Sequence, residues 1–161
     1  MRWRRRGAAT AATFAAMVIG IGAPPAAAGT MVPFSNHIRG CDFQEGLFLD
    51  GMGSGSGSGH ADIGASGSEV SAQVRLQTAK PNTVYRVRLI QLPRPSVATC
   101  NPGDPGVSDG VLHTDGSGTG SVTVGGPVGA QTTAAWVLVE GPPAPGRIRG
   151  DVYSSDFPAR L

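Results

Sequence analysis

The chain has 161 residues, with 13 Lys plus Arg against 11 Asp plus Glu, 25 Gly, 13 Pro, 2 Cys and 6% aromatic residues. Four of the 13 cations (Arg2, Arg4, Arg5 and Arg6) and none of the acids lie in residues 1–28, so residues 29–161 carry 9 against 11, about −2. That balance excludes the broad basic surface that nucleic acid or an acidic membrane would require, and the length suits one domain with one core.

Residues 1–28 read as a secretory signal peptide. The arginines form a basic n-region, Gly7 to Ala23 is an uncharged apolar h-region, and Pro24-Pro25 end it. Ala26-Ala27-Ala28 then supplies the small residues a signal peptidase needs, which places cleavage after Ala28. Retention as a membrane anchor is the competing reading, since the stretch approaches the roughly 18 residues of a spanning helix. Its richness in Ala and Gly favours cleavage, after which no stable membrane span remains. Arg5-Arg6 is not followed by the bulky apolar pair of a twin-arginine signal, and no Cys lies at the cleavage site for lipid attachment. Lys80 is the only lysine, and with abundant Ala and Gly this points to GC-rich bacterial coding.

Residues 29–161 show period-two alternation between turn signals, the mark of half-buried strands. Weaker strands are expected over Phe43 to Leu49 and His60 to Ala65, separated by the Gly/Ser tract at 51–59, which has the composition of a flexible loop or linker. Val70, Ala72, Val74 and Leu76 alternate with polar residues, and Lys80-Pro81-Asn82-Thr83 is a turn. Tyr85, Val87 and Leu89 then face one way, with Arg86 and Arg88 on a solvated opposite face. A long Pro/Gly-rich loop is expected at 93–110. Val111 to Thr114 and Thr119 to Val124 flank Asp115-Gly116-Ser117-Gly118, a hairpin turn. Thr132 to Glu140 is a strand with Trp136 and Leu138 on one face, Gly141 to Gly146 breaks it, and Arg147 to Tyr153 ends the set. The expectation is an all-β, immunoglobulin-like antiparallel β-sandwich of about seven strands over 29–161.

Cys41 and Cys100 both lie in the exported part, where a lone pair is most simply a disulfide. Closing a loop of about 60 residues stabilises a domain by on the order of 4 kcal/mol. These two are the only site residues assigned; no catalytic, cofactor-binding or metal-ligating residue is. Gly106-Val107-Ser108-Asp109-Gly110 formally matches Gly-x-Ser-x-Gly, but a nucleophile elbow needs a strand before the serine and a helix after it, and neither is expected here. His37, His60 and His113 are isolated, and Asp104, Asp109 and Asp115 match no calcium-loop spacing. The Gly/Ser tract lacks the Lys-Ser/Thr of a phosphate loop.

Lys80-Pro81-Asn82-Thr83-Val84-Tyr85, Cys100-Asn101-Pro102 and Thr114 to Gly118 leading into Ser121-Val122-Thr123-Val124 resemble a pattern in secreted actinobacterial immunoglobulin-like domains. Neocarzinostatin-type chromophore-binding proteins share something similar, including a Cys-Asn-Pro. The resemblance covers about 45 of the residues and implies the fold alone: the second cysteine pair of that family is missing, so no ligand-binding residue carries over. The copper/zinc superoxide dismutases share a sandwich and a disulfide, but their His-x-His pair has no counterpart. Two functions are therefore expected to compete. One is a non-catalytic secreted or cell-envelope module that contacts an extracellular protein, glycan or small molecule through its loops. The other is a small extracellular enzyme, metal-assisted or not, built around His113, Asp109 and Asp115.

Overall fold

A computed structural model describes residues 29–46 and 54–161. The expected signal peptide lies outside the described residues, as do the start of the Gly/Ser tract and the end of the strand expected over Phe43 to Leu49. The described residues contain no helix and nine strands: β1 (Thr30–Ser35), β2 (Ser58–Ser66), β3 (Glu69–Gln77), β4 (Val84–Leu92), β5 (Val107–His113), β6 (Gly120–Pro127), β7 (Ala134–Glu140), β8 (Val152–Ser155) and β9 (Ala159–Arg160).

All strand pairings are antiparallel, in the order β5-β4-β7-β8-β1-β2-β3-β6, with β9 beside β7. The sheet curls until its end strands meet. A Cβ on Gly110 of β5 would lie 2.5 Å from Val124 of β6, and one on Gly126 of β6 would lie 2.5 Å from Ser108 of β5. Strand β1 makes the corner: Thr30 to Pro33 pair with β2, and Phe34 and Ser35 pair with β8. Inside lies one core in which Val32, Ile63, Val74, Leu76, Tyr85, Val87, Leu89, Leu112, Val137 and Val139 are inaccessible to solvent. The period-two reading is therefore borne out at the inward positions Val70, Ala72, Val74 and Leu76 of β3 and Tyr85, Val87 and Leu89 of β4. Gln91 points inward too, donating to Pro127 O at 2.9 Å and accepting from Gly129 N and Thr132 Oγ1. Those bonds satisfy a buried amide and pin the β6–β7 connection.

The structure departs from the sequence expectation in several places. Thr30–Ser35 is a strand although only Val32 on it is fully buried, so its pattern carries little alternation. The two-residue β9 is too short to read. No strand begins at Phe43; Cys41 to Phe43 is a turn, with Gly40 N donating to Gln44 O at 2.8 Å and Phe43 N to Gly40 O at 3.0 Å. The strand expected from Arg147 begins only at Val152. The 93–110 loop ends at Val107, where β5 starts, and it is tied down internally. Arg94 donates to the carbonyls of Thr99 and Pro105, and Asp104 accepts from Thr99 Oγ1 and Asn101 N.

The described part of the Gly/Ser tract is not a free linker either. Ser54, Ser56 and Ser58 are exposed while Gly55, Gly57 and Gly59 face inward, and Ser58-Gly59 already belong to β2. A Cβ on Gly57 would sit 2.7 Å from the Ala79 backbone, and one on Gly59 2.5 Å from Arg75 O. Every second residue is glycine because the chain lies directly on its neighbours.

Strand β7 is buried on both faces, which explains its continuous apolar run. Ala135, Val137 and Val139 enter the main core; Trp136 and Leu138 point out of the other side into a second cluster with Ile90, Cys100 and Val152. That outer face is covered by the segment around Cys41 and by the 93–106 loop, joined by the Cys41–Cys100 disulfide with a Cα separation of 5.6 Å. Phe43 meets Trp136 edge to face at 5.4 Å, and the Arg39 guanidinium stacks on Phe43 at 4.2 Å, contacts contributing about 1 kcal/mol each. They offset the left-handed backbone of Phe43 (φ 70°), a conformation that costs a non-glycine residue about 1 kcal/mol or more.

Two outcomes follow for stability. Replacing both cysteines by alanine should lower the unfolding free energy by about 4 kcal/mol in a urea titration; an unchanged midpoint would show that the bridge constrains nothing. Gly57→Ala should destabilise strongly, whereas Gly116→Ala, whose Cβ would meet nothing within 4 Å, should stay within about 0.5 kcal/mol of the parent.

Candidate functional site

The residues of the formal hydrolase pattern do not converge. Ser108 lies inside β5, not at an elbow, with its hydroxyl turned toward Gly126. Asp109 and His113 are exposed on the same strand but four residues apart, about 13 Å at the rise of a strand. Asp115 is occupied by its own turn: Oδ1 accepts from Ser117 N at 2.8 Å, Ser117 Oγ at 2.7 Å and Thr119 N at 3.0 Å. These bonds, led by that from the Ser117 hydroxyl, hold the carboxyl below its usual range. Asp104 is held low in the same way, chiefly by the Thr99 hydroxyl. His37 sits 2.8 Å from Glu45 and His60 3.9 Å from Asp62, each far along the chain from His113. No group of three His, Cys, Asp or Glu side chains among the described residues is placed to hold a metal ion.

What the fold does build is a cleft of about 930 Å³ between the turn preceding β4 and the 141–151 connection from β7 to β8. On the outer face of the sheet, Val84, Arg86 and Arg88 of β4 run in file, because alternate residues share a face. The disulfide-linked cover occupies the half of this face around Ile90 and Trp136. The half around Val84 is left open: Val84 is 50% exposed and Val111 on β5 is 48% exposed. One wall is formed by the prolines Pro142 and Pro143 and by Ile148 and Arg149, the other by Lys80 to Thr83.

The charges in the cleft are sorted by hydrogen bonding. Arg86 stands opposite Glu140 in the register, yet the Glu140 carboxylate pairs instead with Arg88, whose Nη1 also donates to Cys100 O at 2.9 Å. Asp151 accepts from the Tyr85 hydroxyl at 2.9 Å, and Ser54 Oγ donates to Gly150 O at 3.0 Å beside it. Both acids of the lining are thus engaged from behind. Lys80, Arg86 and Arg149 make no ion pair among the described residues. Arg88 is accordingly not part of a solvated face; its side chain is 16% exposed and structural. The two Arg-x-Arg pairs of residues 29–161 are each split: Arg86 and Arg149 line the cleft, whereas Arg88 and Arg147 do not.

The floor is rigid. Tyr85 and Tyr153 pack edge to face at 6.0 Å, Lys80 N donates to Tyr85 OH at 3.2 Å, and Gly57 N donates to Tyr153 OH at 3.3 Å. Thr114 ties the near wall down, with its Oγ1 accepting from Thr83 N and donating to Lys80 O. On the far wall Gly141 N donates to Asp151 O at 2.8 Å. Comparison with protein-family models and with curated proteins found no match.

Nothing in the sequence pairs Arg86 with Arg149 or marks Asp151. The one usable signal was the proline run after Glu140, which ends a strand and must project a connection beyond the sheet.

Burial first, and then the hydrogen bond to Asp151, push the Tyr85 phenol above its ordinary range; burial raises that of Tyr153 as well. These are the only tyrosines. A phenol with a raised folded-state pKa contributes stability that is complete below the unfolded value of about 10 and is lost as pH rises through the folded one. Absorbance titration should therefore show no tyrosinate in the native protein near pH 10, and stability should decline above it. Two tyrosines ionising there with the fold intact would contradict the Tyr85–Asp151 arrangement.

Proposed function

We propose that residues 29–161 form a secreted, non-catalytic immunoglobulin-like β-sandwich module that binds an anionic partner outside the cytoplasm or in the cell envelope. The sandwich reading is supported by the near-closed antiparallel sheet, the corner strand β1 and the tryptophan buried beside a disulfide. Export is supported by that disulfide and by the form of residues 1–28. The resemblance to secreted actinobacterial immunoglobulin-like domains belongs to the same proposal.

The observation that carries the binding reading is the cleft: Lys80, Arg86 and Arg149 line it and make no ion pair among the described residues, beside exposed Val84 and Ile148, while Glu140 is paired with Arg88 and Asp151 is hydrogen-bonded to Tyr85. A chain with net charge about −2 over residues 29–161 thereby presents a local positive patch, which draws anions at a distance of about a Debye length, near 10 Å. Arginine favours carboxylates because its planar fork bonds them in pairs. The cleft is open along one side, which suits an extended acidic and aliphatic segment of another protein.

An acidic peptide carrying alternate Glu and Leu should bind the domain in titration calorimetry, more weakly as salt is raised. Arg86→Ser with Arg149→Ser should lower the affinity by about tenfold or more, with the thermal midpoint unchanged because both side chains are exposed. Equal affinity of parent and double variant, or no binding by the parent, would refute the cleft as the site.

A further inference from the structure

The connection from β7 to β8, one wall of the cleft, also exposes a peptide bond whose role does not depend on what the cleft binds. Residues 142–149 are all exposed, and Ile148 is 97% exposed, the most open large apolar side chain among the described residues. It is flanked by Arg147 and Arg149. A single backbone hydrogen bond, Arg147 N to Ala144 O at 2.9 Å, closes the turn at its tip, where Gly146 has φ 77°. The stems are fixed by the Gly141–Asp151 bond.

The geometry points to the Arg147–Ile148 peptide bond as the processing site of a secreted arginine-specific serine protease. Such enzymes draw an extended segment through their active site, so exposed loop tips are cut and paired strands are not. The other cations of residues 29–161 fail this requirement one by one. Arg75, Arg86, Arg88 and Arg160 lie in strands, and Arg39 is bridged to Glu45 with its side chain 7% exposed. Lys80 and Arg94 are each followed by proline, which has no N–H and blocks attack on the preceding carbonyl. Arg149 is followed by Gly150, whose Cα is so close to the opposite stem that a Cβ would lie 2.3 Å from Gly141 O and 2.4 Å from Pro142 O. That peptide bond cannot leave the stem. Arg147–Ile148 is the one that remains.

In the cut, water adds across the bond, leaving a carboxylate on Arg147 and an amine on Ile148. Cys41 and Cys100 both lie before it, so no covalent bond holds 148–161 to the rest. The piece stays in place through β8, hydrogen-bonded between β1 and β7, through β9, and through buried Val152, Tyr153, Ser154, Ser155 and Ala159. The product is a two-chain sandwich with one wall of the cleft opened. This holds whatever the cleft binds.

Limited digestion of the unreduced protein with trypsin tests it by mass spectrometry. The first internal cut should follow Arg147, giving a fragment that begins at Ile148, runs to Leu161, co-elutes with the remainder in native size exclusion and separates from it in urea without reductant. Arg147→Gln should slow that first cut by about a hundredfold, whereas Arg75→Gln, in β3 and outside the cleft, should leave its rate unchanged. A first cut elsewhere in the domain, a cut after Arg149 at the same rate, or an Arg147→Gln protein digested as fast as the parent would overturn the assignment.

Discussion

The Cys41–Cys100 bridge is the constraint on which the rest of the molecule depends. Without it, Trp136 and Ile90 would stand on the solvent side of the sheet, where large apolar side chains are costly. The bridge holds the Arg39–Phe43 turn against them and sets the 93–106 loop alongside. It also draws a boundary. The part of the outer face under the cover becomes a second core, and the part beyond it, from Val84 to Arg86, stays open as the floor of the cleft. Arg88 marks the line between the two, bonded to Cys100 O on one side and to Glu140 on the other.

The same boundary decides the charge of the cleft. Glu140 turns toward Arg88 and not toward its register partner Arg86, and Asp151 turns back to Tyr85. Three acids elsewhere are likewise used internally: Asp104 and Asp115 close turns, and the Glu45 carboxyl is held below its usual range by His37, above all through their hydrogen bond. The net charge therefore says little about what the open surface offers. With Glu140 paired to Arg88, the lining of the cleft carries three cations, Lys80, Arg86 and Arg149, against the one remaining acid Asp151, although residues 29–161 are acidic on balance.

Much of the fold was legible because alternation is a local property. Val70 to Leu76 and Tyr85 to Leu89 declare which side is buried with no knowledge of their neighbours. The bridge was legible from compartment chemistry, since a lone cysteine pair in a domain read as exported has few other uses. The Gly/Ser tract misled because composition was read as freedom; Gly55, Gly57 and Gly59 are instead the residues that allow close approach to Tyr153, Ala79 and Arg75. Trp136 and Leu138 were placed together on one face of their strand, but that this face is the outer one and is covered depends on a turn more than ninety residues away from Trp136. The cleft was illegible for a similar reason. Arg86 and Arg149 come to line one cleft only when β4 and the connection after β7 are brought together by the pairing of β4 with β7 and of β7 with β8.

The division of the outer face by the bridge is tested most directly by acrylamide quenching of Trp136, made the only indole by Trp3→Phe, before and after reduction of the disulfide. Trp136 is fully buried in the bridged protein, so weak quenching is expected there. After reduction, quenching should rise toward that of free indole while the far-ultraviolet β signal is retained, because the main core lies on the opposite face. Equal, weak quenching in both states with the thiols shown to be free would contradict the account, since the cover would then be held by packing alone.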